Sequence, residues 1–136
     1  MGLLEIFFKT EQAIGKFVSE QAYNKNLKKL VNVTPLTLEQ LRQMAIPSEM
    51  ELKLEYIFYT NTAEKASQLA NEIIKLGYTA EHGADPDKKK LFMITGRTTY
   101  MTTSNEVILP WTEQMCELGY KFDCEFDGWL VDTDKQ

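Results

Sequence analysis

The chain has almost none of the residues that metal sites and thiol chemistry require. Its 136 residues include one histidine and two cysteines. His82 has no second histidine or cysteine nearby in sequence, so it cannot begin a zinc site. Cys116 and Cys124 are not spaced as a C-x-x-C pair, and each lies in an apolar pattern. They read as two buried, reduced thiols of a cytoplasmic protein. Long apolar runs are missing as well, none reaching the roughly 18 residues of a membrane span. The start, Met1-Gly2-Leu3-Leu4-Glu5-Ile6, lacks the basic opening of a signal peptide and is interrupted by Glu5. It also places Ile6 where a myristoylation signal needs Ser or Thr. These absences point to a cytoplasmic chain without a metal or cofactor motif.

Positive charge is in short supply too. Fifteen Lys/Arg face twenty Asp/Glu, a net charge of −5, and the excess acid is unevenly placed. Residues 1–50 hold six basic and five acidic residues, whereas residues 51–136 hold nine and fifteen. An acidic domain repels phosphate backbones at long range. Direct nucleic-acid binding is therefore disfavoured, and a protein partner with a basic surface is the better match.

The patterning divides the chain at about residue 50. Thr10 can cap a helix reaching about Leu30, with Ile14, Phe17, Val18, Ala22 and Tyr23 as its apolar stripe. Thr34-Pro35-Leu36 reads as a break, and Thr37-x-x-Gln40 as the capping box of a second helix ending near Ala45. Two such helices bury too little to fold alone. The segment 1–50 is expected to pack on the rest of the chain, near Ile57 and Tyr59, or on a second copy in a homodimer.

From Glu51 the period becomes two, placing Leu52, Leu54, Tyr56 and Phe58 on one strand face. Asn61-x-x-Glu64 opens a helix striped by Ala66, Leu69, Ala70 and Ile73, and Gly77 stops it. Strands from Tyr78 to about Gly83 and from Lys90 to Tyr100 flank the turn Asp85-Pro86-Asp87. Thr103-x-x-Glu106 opens another helix, with Pro110 inside it and Gly119 as its stop, before a last strand from Phe122 to about Val131. Leu76-Gly77-Tyr78 and Leu118-Gly119-Tyr120 thus look like the two helix ends of a duplicated unit. The expectation is an α+β, ferredoxin-like β-α-β-β-α-β domain over residues 51–136, with an antiparallel sheet in the order 4-1-3-2. Both helices would cover one sheet face. Parity then sends Phe122, Cys124 and Phe126 to the helices, and Asp123, Glu125, Asp127, Ile57 and Tyr59 to the open face.

No catalytic constellation stands out. Asp123, Glu125 and Asp127 share a face but lack a histidine, a basic partner in sequence or a ligand-loop glycine, and read as a solvated acidic strand. The loop after the first strand, Tyr59-Thr-Asn-Thr-Ala-Glu64, has neither the glycines nor the arginine that phosphate binding needs. Tyr56-Ile-Phe-Tyr-Thr-Asn61 loosely resembles one motif of an RRM, but Lys90-Leu-Phe-Met-Ile-Thr95 lacks the glycine-aromatic core of the other. In Asp127-Gly128-Trp129, the glycine permits a bulge that would flip Trp129 to the core side. The alternative is a tryptophan that anchors a partner.

Glu117-Leu-Gly-Tyr-Lys-Phe-Asp-Cys-Glu-Phe-Asp-Gly-Trp129 resembles the signature that ends the domain of the type B regulators of ribonuclease E activity. Leu54-Glu-Tyr-Ile-Phe-Tyr59, followed by an alanine-rich helix and Lys75-Leu-Gly-Tyr78, resembles that family's first half. The resemblance covers residues 51–131. It implies a ferredoxin-like fold and a non-catalytic protein that inhibits a ribonuclease by protein contact. The candidate contact residues are then Asp123, Glu125, Asp127, Gly128, Trp129, Ile57 and Tyr59. Phe126 stands where the family has tyrosine, and Asp134-Lys135-Gln136 stands where its founding members continue into an acidic tail. A small enzyme with an unrecognised site and an RRM-like module are the competing readings.

Overall fold

A computed structural model describes residues 15–136. Chain order within them is helix α1 (Glu20–Gln43), strands β1 (Glu51–Leu52) and β2 (Glu55–Thr60), helix α2 (Ala63–Ile74), strands β3 (Glu81–Ala84), β4 (Phe92–Arg97) and β5 (Met101–Thr102), helix α3 (Asn105–Lys121) and strand β6 (Glu125–Leu130). A short 3-10 turn follows at Thr133–Lys135. Strands β3-β4-β2-β6 form one antiparallel sheet, and β1 pairs with β5 as a second, two-stranded ladder. The chain is α+β.

The ladders separate where Leu54 meets Thr98. Leu54 N–H donates to the Thr98 side-chain oxygen at 2.9 Å, in place of a backbone carbonyl. One expected strand over 51–59 is therefore two, and the expected strand from Lys90 to Tyr100 is only Phe92–Arg97, with β5 following beyond it.

Alternation builds the core. Leu54, Tyr56 and Phe58 are fully buried, as is Ile94 on the neighbouring strand, while Phe126 is 1% exposed. They meet Leu69 and Ile73 of α2 and Ile108 and Met115 of α3 in one apolar cluster. The Phe58 and Phe126 rings lie 5.0 Å apart, and Trp111 meets Phe126 edge-on at 5.9 Å. Such offset and edge contacts are what the ring quadrupoles favour.

The two expected N-terminal helices are one. Pro35 lies inside α1 rather than between helices. Thr10 and Ile14, the expected cap and first stripe residue, lie outside the described residues; the observed cap is Ser19, whose hydroxyl accepts from Ala22 N–H at 3.0 Å. A stripe of Tyr23, Leu27, Leu30, Thr34, Leu38 and Leu41 runs through the proline at helical spacing. Thr34 hides that stripe from a sequence reading because it is polar. Its hydroxyl donates to Leu30 O at 2.7 Å, which makes its burial tolerable. Pro35 points to solvent, so its ring displaces nothing in the stripe.

Helix α1 rests on α3 and the β6 edge, not on the open face near Ile57 and Tyr59. Tyr23 stacks on Tyr120 with 4.4 Å between ring centres, and Asn26 Nδ2 donates to Phe126 O at 2.8 Å. That last bond covers an edge-strand carbonyl.

The two Leu-Gly-Tyr segments are not equivalent. Gly77 has φ +85° and closes α2, as a left-handed stop does. Gly119 lies inside α3, whose left-handed residue is Asp123 at φ 58°. Cys124 N–H reaches Gly119 O at 2.8 Å and Asp123 N–H reaches Tyr120 O at 3.0 Å, the paired bonds of a Schellman ending. Glycine occupies 119 for another reason. A Cβ there would come within 2.8 Å of both Phe58 Cε1 and Cys124 O.

Candidate functional site

Helices α2 and α3 cover one sheet face, and among the described residues no helix lies on the other, called here the open face. On the open side, register brings Met93, Tyr59 and Glu125 into one row and Thr95, Ile57 and Gly128 into the next. Arg97, Glu55 and Leu130 form a third row. Glu81 extends the middle row through its pairing with Thr95. Ile57 and Tyr59 are half-buried and Leu130 is 44% exposed, so the surface has an apolar centre. Lys88, from the β3–β4 turn, lies 4.1 Å from the Tyr59 ring centre, a cation–π contact over one end of it.

The three acids of the last strand do not converge. Asp123 precedes β6 in a left-handed turn, where strand parity does not apply. Its Oδ2 accepts from Phe17 N–H at 2.7 Å and from Lys65 Nζ at 2.6 Å, and its Oδ1 accepts from Val18 N–H at 2.7 Å. Partial burial raises its pKa, but bonds from Lys65, Val18 and Phe17 outweigh that and hold the carboxyl below its ordinary value. Asp123 fastens residues 17–18 to the domain rather than lining an open acidic strip.

Glu125 does face the open side, opposite Tyr59. Asp127 is the extra residue of a bulge: Ile57 pairs with Gly128 and Phe58 with Phe126, leaving Asp127 unpaired and exposed. Gly128, at φ +128°, completes the bulge, and Trp129 then falls opposite Tyr56. The tryptophan has crossed to the core side. It is half-buried and packs against the apolar cluster.

A cavity of about 380 Å3 opens on this face between Glu55, Ile57, Glu81, Arg97, Leu130 and Lys135. None of Asp123, Glu125 and Asp127 lines it. Lys135 Nζ pairs with Glu55 at 3.1 Å, and an Arg97 terminal nitrogen donates to the Lys135 carbonyl. Arg97 Nε is buried without a hydrogen-bond partner among the described residues. Sequence reading missed Arg97, Glu55, Glu81, Leu130 and Lys135. The alternation Met93, Thr95, Arg97 was visible, but their meeting with Glu55 and Leu130 depends on cross-strand register.

Burial pushes the Cys116 thiol up to about 12 and Cys124 up to about 11, so neither is a nucleophile near neutral pH. Among the described residues no group of three or more His, Cys, Asp and Glu could hold a metal ion. No helix among them is long and apolar enough to cross a membrane. Of the three aromatic residues in β2, Tyr56 and Phe58 are in the core and only Tyr59 faces the open side, which makes a poor base-stacking platform.

The chain matches the family described as regulator of ribonuclease activity B over residues 32–131. That is most of its length, and it includes every strand of both sheets. The chain belongs to that family. The match to the regulators of ribonuclease activity B begins inside α1, so it reaches further back than the resemblance from residue 51. The second half of α1, with Thr34, Leu38 and Leu41, is shared family sequence rather than an addition to it. A comparison with curated proteins found no match.

Proposed function

We propose that this chain is a non-catalytic regulator that acts on a ribonuclease by protein contact, through the open face of its sheet. Family membership supports the ribonuclease as target. The observation that carries the surface is the sheet face that no described helix covers. Its half-buried Ile57 and Tyr59 and exposed Leu130 sit within a ring of charged side chains, the apolar-centre, polar-rim layout of protein interfaces. Helices on one face and an open four-stranded sheet on the other match the ferredoxin-like arrangement, and we read the fold that way. Glu81 and Glu125 bias the rim toward a partner with basic residues.

The test is a ribonuclease assay with purified full chain. Leu130→Asp changes an exposed side chain, leaves the core untouched, and is expected to weaken regulation at least about tenfold, as loss of a central interface contact does. Unchanged regulation by a folded Leu130→Asp protein would remove the open face as the contact surface.

A further inference from the structure

Segment Asp132–Gln136 crosses the end of the open face and is bonded there at several points. The Gln136 side-chain amide accepts from Lys53 N–H at 2.7 Å and donates to Lys53 O at 3.0 Å. A single carboxamide thus takes both backbone groups of one residue, as a neighbouring strand would. Lys53 sits just beyond the last β2–β6 pair, Glu55 with Leu130, on the side where β6 has ended. Arg97 receives a backbone carbonyl, that of Lys135, and Glu55 receives a cation, Lys135 Nζ. The chain therefore displays the chemistry its own slot accepts: a strand-like amide, a carbonyl and a positive charge.

The segment does not satisfy the slot. Two carboxylates, Glu55 and Glu81, line it, and only Glu55 is ion-paired among the described residues. Arg97 Nε is left without a partner. The Lys135–Glu55 pair is itself weakly held, because the lysine side chain is 59% exposed.

We propose that this slot recognises an extended partner segment carrying two basic residues, and that Asp132–Gln136 is its resident competitor. The inference rests on the protein-contact reading and names the partner's chemistry and a restraint on its binding. An incoming strand would place its backbone on Lys53 and Arg97 and one cation on each of Glu55 and Glu81. It must displace the segment first. A tethered competitor acts at an effective concentration near millimolar, which lowers apparent affinity without blocking the slot.

The probe is a fluorescein-labelled peptide, Thr-Lys-Gln-Lys-Thr with blocked ends, titrated by anisotropy into the full chain at 0.15 M salt. The double variant Lys135→Glu, Gln136→Ala changes only exposed residues outside the slot's wall of strands, and it repels the segment from Glu55. It is expected to bind the peptide about tenfold more tightly than the parent, the gain that follows from removing a tethered competitor. Adding Glu81→Gln should reverse most of that gain. Equal peptide affinity for parent and double variant would overturn the proposal, as would a gain that survives Glu81→Gln. Either failure, alongside loss of ribonuclease regulation in Leu130→Asp, would sink the slot and leave the contact reading standing. Retained regulation in Leu130→Asp would instead remove the open face as the contact surface.

Discussion

Glycine does two different jobs at positions 77 and 119, and the difference is measurable. At Gly77 the backbone is left-handed but the space is open, the nearest atom to an added Cβ being Thr99 Cγ2 at 3.6 Å. Gly77→Ala should therefore cost about 1 kcal/mol of backbone strain. At Gly119 the backbone is helical, where alanine is intrinsically better, yet Phe58 and Cys124 O leave no room. Gly119→Ala should cost more, about 2–3 kcal/mol, by overpacking the core. Denaturant midpoints of the two variants decide it; equal losses, or stabilisation by alanine at 119, would mean the α3–β2 contact is looser than described. The same logic keeps alanine out of position 96, where an added Cβ would collide with Thr79 O and Tyr56 OH.

At the scale of elements, α1 is attached at both ends of its contact with the domain. Its own stripe lies on α3, and the residues just before it are tied by the Asp123 carboxylate. Because Asp123 is held below its ordinary pKa in the folded protein, its contribution is complete above the ordinary carboxylate range. It is lost as pH falls through the lower folded value. Asp123→Asn keeps a residue that tolerates the left-handed turn but removes the charge. The variant should be less stable at pH 7 by about 1–3 kcal/mol, in line with bonds to charged acceptors. It should also lose less stability than the parent on acidification. Parallel stability curves between pH 7 and pH 3 would show that the clasp carries no charge-dependent energy.

At the scale of the whole molecule, the question is whether α1 is an appendage or part of the fold. A chain shortened to begin at Ser48 would lose Leu30, Leu38 and Leu41 from the cluster against α3. Burying a leucine contributes about 1.5–3 kcal/mol, and three of them approach the ~5–15 kcal/mol stability of a typical domain. The shortened chain should melt far lower than the full one and aggregate through its bared α3 surface. Equal thermal stability would make α1 an independent appendage after all.

How much of this was legible in the sequence follows from the range of each interaction. Strand alternation from Leu54 to Phe58 and the helical stripe Ala66, Leu69, Ala70 and Ile73 were readable, because a period of 2 or 3.6 is set by the backbone alone. Gly77 was readable as a stop, since a left-handed residue after a helix is a local event. The helix through Pro35 was not, because its loss of one backbone bond is outweighed by packing against α3, which lies some seventy residues away in sequence. Gly119 was misread for the same reason: the demand for a missing side chain comes from Phe58, on a different element. The open face shows both cases in one place. Parity placed Ile57, Tyr59 and Glu125 on it correctly, but lost Asp123 to a left-handed turn and Asp127 to a bulge. Arg97, Glu81 and Lys135 met Glu55 only once register and the path of residues 132–136 were set. Those are choices among contacts of similar local cost, and only the packed molecule distinguishes them.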